Sequence, residues 1–272
     1  MMEKAEDLKL NFRFEDLLTK YNIDLSNYAP ASLERRIERF LSLHHFPNIT
    51  LLSEKLLADK DFFDLFIKEI TVNTTEMFRD PQCWKIIREE ILPMVAEHPS
   101  IRIWHAGCSS GEEVYSMAVL LKEEGLLEKT KIVATDINRE VMQTAMSGKY
   151  SLKHLELNTE NYNRSGGKSS FDSYYETENS SFIMKNKLLN NVRFTKHDLS
   201  TGAEFSKFDI ILCRNVMIYF NKQLQERVFS LFSKSLFKKS FVVIGKKESM
   251  AYFSGIDLFT EISAEERIYR SK

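Results

Sequence analysis

Residues Ile101–Leu121 read IRIWHAGCSSGEEVYSMAVLL. An apolar run of strand length stops at Gly107, a short polar loop follows, and an amphipathic helix is predicted from Glu112 to Glu124. Gly107 and Gly111 bracket the loop, which lets a ligand approach the backbone and meet the free N–H donors of a helix N-terminus. The pattern is G-x-x-x-G and lacks the third glycine of the dinucleotide fingerprint, while Glu112 and Glu113 would repel a pyrophosphate. A ligand with cationic groups suits this turn better. S-adenosylmethionine carries an ammonium and a sulfonium, so the acids favour it over NAD or ATP. On its own the loop also fits a tight turn with helix-capping acids.

Working outward, KIVATD, VRFTKHD, FDIILCRN and FVVIGK read as further strands. They alternate with helices expected over Asn138–Ser147 and Lys222–Leu236, which implies a mostly parallel sheet covered on both faces. LFTEI and RIYR read as an antiparallel edge hairpin. Between Tyr150 and Asn191 the alternation breaks into a polar helix-like piece, a flexible SGGKSS and a β-hairpin insert. Toward the N-terminus, Phe14, Leu17, Leu18, Leu33, Ile37, Phe40 and Leu41 recur at helical spacing, which predicts a small helical domain. Pro81 opens a helix through Trp84, Ile87 and Ile91 that is expected to end near Pro93. The expected division is a helical domain over residues 1–72, a linker and connecting helix over 73–98, and a catalytic domain over 99–272 with an insert at about 151–190.

Composition is that of an ordinary globular chain of 272 residues, with 43% hydrophobic and 28% charged. A net charge of −1 supplies no long-range field for capturing phosphates, so a nucleic-acid substrate is disfavoured. Cys83, Cys108 and Cys213 are widely spaced and form no Cys-x-x-Cys pair, which argues against disulfides and a zinc site and for a reducing compartment. No window approaches the roughly 18 uninterrupted apolar residues of a membrane span, and the chain reads as soluble and cytoplasmic.

The candidate site residues fall on the carboxyl ends of the strands. Asp136 closes the second strand, where its carboxylate could accept both ribose hydroxyls or cap the helix that starts at Asn138. Asp198 and Leu199 follow the third strand, within reach of an adenine; Asn215 and Tyr219 follow the fourth and would border the reacting methyl. His105 and His197 read as strand-end residues.

NTTEMFRD, IRIWHAGCSSGEEVYSMAVLL, VATDINREVMQTAMSGKY and FDIILCRNVMIYFN together resemble the CheR family of chemotaxis receptor methyltransferases, and the likeness runs from about Phe14 to Tyr269. The resemblance implies an α/β fold: a Rossmann-like S-adenosylmethionine-dependent methyltransferase domain with a small antiparallel β-subdomain, preceded by a small all-α domain. It implies transfer of a methyl group from S-adenosylmethionine, leaving S-adenosylhomocysteine, to glutamate carboxylates of a chemotaxis receptor. It places Asn73, Thr75 and Arg79 on the cofactor, assigns the methionine-binding acid to Glu113 and the ribose acid to Asp136, and adds Asp198, Leu199, Asn215 and Val216 as contacts. Arg79 and Tyr219 are implied beside the transferred methyl. The family usually has Ser-Phe-Phe where Glu76, Met77 and Phe78 stand, and a Ser where Lys247 stands.

A glutamate side chain is ionised at neutral pH, with a pKa of about 4.3, so its methylation needs no general base. Arg35, Arg36 and Arg39 put positive charge on a helix that could attract an acidic helical receptor, or form a solvated face paired with Glu34 and Glu38. The hairpin insert could accept an extended peptide along a strand edge. The expected protein is a monomer without metal, nucleic-acid partner or membrane insertion. A non-catalytic cofactor-binding module and a methyltransferase acting on another carboxylate are the alternatives.

Overall fold

The computed structural model describes residues 14–21, 23, 25–70, 75–251 and 253–272. Asn73, expected on the cofactor, lies outside them.

Four helices open the described chain: α1 (Phe14–Tyr21), α2 (Pro30–Leu43), α3 (Ile49–Ala58) and α4 (Lys60–Ile70). Their apolar stripes close on one another, burying Leu17, Leu33, Ile37, Phe40, Leu52, Phe63 and Phe66 as a core separate from the sheet. Asn48 caps α3 by accepting the Leu51 N–H at 3.0 Å.

The predicted connecting helix ends near Pro93 as expected, running through the proline to Val95. It begins as α5 (Pro81–Ile86), passes through a π turn at Ile87–Ile91 and ends as α6 (Leu92–Val95). Proline has no N–H to give and its ring crowds the carbonyl four residues back. The wider turn, in which Leu92 N–H donates to Ile87 O, absorbs that misfit without ending the helix.

The seven-stranded sheet comprises β1 (Ile101–Ala106), β2 (Thr130–Asp136), β6 (Val192–Lys196), β7 (Phe208–Cys213), β8 (Leu236–Ile244), β9 (Phe259–Ser263) and β10 (Ile268–Ser271). Its order is β6-β2-β1-β7-β8-β10-β9, parallel except at β10, which pairs antiparallel with both β8 and β9. The C-terminal hairpin is thus where LFTEI and RIYR placed it. Helices α7 (Glu112–Glu123), α8 (Arg139–Ser147) and α10 (Lys222–Ser235) follow β1, β2 and β7. Leu236 belongs to β8 and not to the preceding helix. The chain winds outward from β1 to β6 and then returns to start again at β7, so a crevice opens where β1 and β7 lie side by side. Ligands of doubly wound sheets bind at such a switch point, outside the carboxyl ends of the strands.

The insert is larger than a hairpin. β4 (Tyr175–Glu178) and β5 (Ser181–Met184) pair as expected, and β3 (Lys149–Ser151), which precedes them, adds a third strand in the order β3-β5-β4. Helix α9 (Leu155–Arg164) crosses between them. SGGKSS, expected to be flexible, is packed: a Cβ on Gly167 would sit 2.2 Å from the Tyr162 ring, and Ser169 N–H donates to Tyr162 Oη at 2.9 Å. Buried Arg88, in the π turn, donates at 2.6 Å to both Glu123 and Glu124, and Lys168 donates to Glu124 at 2.6 Å. Among the described residues no helix is long and apolar enough to cross a membrane. The three cysteines are free and buried.

Candidate functional site

A cavity of about 980 Å³, measured to its open mouth, lies at the switch point. Its walls include Thr75, Arg79, Gly107, Glu113, Asp136, Asp198, Leu199, Asn215, Val216 and Tyr219, so every described residue expected at the cofactor or the reacting methyl lines one space. Arg36 joins them from the helical domain. Arg35 and Arg39, grouped with it in the sequence, are exposed on α2 and do not line the cavity.

The floor is the β1–α7 turn. Gly107 has φ +81°, and a Cβ there would meet Val216 Cγ2 at 2.5 Å; Gly111 has φ +92°, and a Cβ would meet Ala145 Cβ at 2.6 Å. Both glycines are therefore required by strain and by close approach, and the turn's amides Gly107 and Cys108 donate to Thr135 O on β2 at 2.8 and 2.9 Å. Of the two acids that open α7, Glu112 turns aside to accept from Ser110 Oγ at 2.7 Å, and Glu113 faces the cavity.

Glu113 is held by two partners that sequence reading did not connect to it. His105, fully buried on β1, places Nδ1 2.9 Å from Oε1; Arg214 donates from Nη1 to Oε2 at 3.1 Å. Burial pushes the Glu113 carboxyl up, but the hydrogen bond from His105 and the charge of Arg214 outweigh it and hold the group below its ordinary value. Among the described residues His105 Nε2 is buried without a hydrogen-bond partner. His105 is thus a buried orienting group and no mere strand end. Nothing in the sequence pairs it with an acid on the next helix; only the β1–α7 turn brings them together.

Asp136 is also buried. Its two oxygens accept one backbone amide each, Asn138 N–H at 2.9 Å and Ser109 N–H at 2.8 Å. The helix that follows is capped by the Asn138 side chain instead, which accepts from Glu140 and Val141. Burial raises the Asp136 carboxyl, and the amides offset this only in part. A carboxylate has about four lone-pair sites, so the group keeps capacity to accept hydroxyls. Asp198 Oδ1 accepts from Ser200 N–H and Oγ at 2.8 and 2.7 Å.

Thr75 to Asp80 form another wall, anchored from three sides. Met77 N–H donates to Asn158 Oδ1 at 3.0 Å, and Asn161 donates to Met77 O at 3.2 Å, so the insert helix α9 holds this wall. Phe78 N–H donates to Ser116 Oγ on α7 at 2.8 Å. Arg214 Nη2 donates to Arg79 O at 2.8 Å and to Asp80 Oδ2 at 2.6 Å. One guanidinium therefore joins the backbone of Arg79 to the carboxylate of Glu113.

The turn after β7 is shaped by Glu248, to which the sequence reading assigned no role. Its buried carboxylate accepts the N–H groups of Gly245 at 2.5 Å, Asn215 at 3.1 Å, Met217 at 2.7 Å and Ile218 at 3.2 Å. Those donors hold Asn215 at φ +61°, a left-handed conformation that Asn tolerates better than most residues. The same turn carries the helical domain: Ala29 N–H donates to Tyr219 O at 2.7 Å, Tyr28 bridges Phe220, and the Arg36 guanidinium lies 4.3 Å from the Tyr219 ring centre.

Four carboxylates and three guanidiniums line this space. A buried acceptor for a diol, an ionised acid suited to an ammonium, and a glycine turn open to close backbone approach form a donor set that fits S-adenosylmethionine.

Residues 73–268 match the CheR methyltransferase, SAM binding domain, and residues 10–71 match the CheR methyltransferase, all-alpha domain. The chain is similar to the Pseudomonas putida protein Cher3, named as a methyltransferase, with 41% identity over 268 residues that cover 98% of each chain. It is 33% identical to the chemotaxis protein methyltransferase of Borreliella burgdorferi, covering 85% of this chain and 84% of that one. With the protein of the same name from Listeria monocytogenes it shares 28% identity, covering 90% of this chain and 92% of the other. The chain belongs to the CheR methyltransferase family and is an S-adenosylmethionine-dependent methyltransferase.

Proposed function

We propose that the protein esterifies glutamate side chains of a chemotaxis receptor or a similar acidic, helical signalling protein in the cytoplasm. The observation that carries this reading is that Glu113 and Asp136 share one cavity with Arg79, Asn215 and Tyr219. In this reading Glu113 holds the cofactor's amino-acid end, Asp136 its ribose, and Asp198 with Leu199 its adenine. Asn73, Thr75, Gly107, Asn215 and Val216 complete the cofactor contacts, and Arg36, with Arg35 and Arg39 beyond it on α2, meets the receptor.

When bound, S-adenosylmethionine supplies an electrophilic methyl on a sulfonium. The chain's own residues then have to align a carboxylate with that methyl. Arg79 orients the acceptor carboxylate with its fork, and Tyr219 donates near the reacting oxygen. The Arg36 guanidinium lies over the Tyr219 ring. Because the acceptor is already ionised, no base has to remove a proton, in keeping with a His105 whose one free nitrogen is sealed in the core. Positioning can supply roughly 7–11 kcal/mol of the barrier reduction.

The test is incubation of the protein with methyl-labelled cofactor and a receptor cytoplasmic fragment from the same host. Base-labile label on glutamate is the expected result. Label that survives base, or none on the fragment, rejects the assignment.

A further inference from the structure

Three of the four cavity carboxylates have partners. Glu113 faces His105 and Arg214, Asp136 accepts two amides, and Asp198 accepts from Ser200. Glu76 is different: it is half-buried, lines the same cavity, and among the described residues makes no hydrogen bond or ion pair. The neighbouring guanidiniums are engaged elsewhere. Arg214 is bound to Glu113 and Asp80; Arg36 donates to Ile70 O at 2.6 Å and stacks on Tyr219; Arg79 has interactions of its own.

An uncompensated carboxylate lining a site that must admit another carboxylate is a penalty, since like charges brought together across an interface cost binding energy. The penalty vanishes if the incoming segment brings a cation. In a helical acceptor, a side chain three or four residues from the methylated glutamate lies on the same face and arrives at the cavity with it. We propose that Glu76 is a specificity-determining residue that selects acceptor segments carrying Lys or Arg one helical turn from the methylated glutamate. This inference rests on the glutamate-esterification reading above.

The test uses three helical peptides, identical except that the residue four positions from a single glutamate is Lys, Gln or Glu, with base-labile methyl incorporation as the readout. For the full-length protein, kcat/KM is expected to fall in the order Lys, Gln, Glu, with about tenfold between the extremes. In E76Q that span should shrink to within about twofold, and in E76K the order should invert. Equal rates on all three peptides with the unmodified enzyme, or a preference that survives E76Q, overturns the proposal. So does an E76Q variant that binds S-adenosylhomocysteine more weakly by calorimetry while keeping the peptide order, because Glu76 would then serve the cofactor. Absence of ester label on every peptide sinks the glutamate reading itself; label without an order sinks only the role of Glu76.

Discussion

Arg214 and Glu113 form a 3.1 Å ion pair in which the arginine side chain is 3% exposed. The same guanidinium reaches Asp80 at 2.6 Å, so two acids from different elements depend on one buried cation. Arg214→Leu leaves both without it and should cost about 3 kcal/mol of unfolding free energy, with Arg214→Lys intermediate because it keeps the charge and loses the fork. Urea titration checks this; a midpoint unchanged in the Leu variant means the pair contributes nothing.

Acidification should affect cofactor binding through Asp136. Burial raises its carboxyl above the ordinary aspartate value, so it takes up a proton at milder acidity than a free aspartate does. Hydroxyl donors need the anion, so bound ligand opposes protonation. Affinity for S-adenosylhomocysteine is expected to drop by roughly tenfold per pH unit below an inflection that lies above the ordinary aspartate value of 3.8. Calorimetry across pH 4–7 reads it, and Asp136→Asn should flatten the curve. A flat curve in the unmodified protein contradicts the assignment.

Gly107→Ala meets both a φ of +81° and Val216 Cγ2 at 2.5 Å. We expect a loss of about 2–3 kcal/mol, and recovery of about half in Gly107→Ala/Val216→Ala, where only the backbone strain remains. Additive losses in the double variant would show that the two side chains do not collide.

Arg36→Ala removes the cation held 4.3 Å from the Tyr219 ring. It should reduce kcat/KM for the protein substrate by about tenfold with little change in cofactor affinity. Arg35→Ala/Arg39→Ala should act mainly on the salt dependence of association. Equal effects from the two variants would erase the distinction between the cavity arginine and its exposed neighbours.

Arg79→Ala should lower turnover at least about a hundredfold and leave the melting temperature nearly unchanged. Its backbone carbonyl accepts from Trp84 and Arg214, and alanine keeps both bonds. A near-normal rate in a methyl-transfer assay removes Arg79 from the mechanism.

The strand-end residues were legible because each sits in a local pattern: an apolar run, a polar stop, a helix. Asp136, Asp198 and Asn215 needed only that alternation to fall on one rim. His105 and Glu248 were opaque because their meaning depends on contacts across elements, β1 to α7 and the segment after β8 to the turn after β7. β3 is a three-residue strand, too short to show alternation. Arg35, Arg36 and Arg39 look equivalent in sequence, and only the docking of α2 against Tyr219 separates them.

The amide of Ala29 ends on the carbonyl of Tyr219, and Tyr28 continues the pairing to Phe220. The helical bundle is therefore masonry in the cavity wall, and a bundle borrowed from a relative would have to reproduce that seam before a chimera could keep the wall's shape.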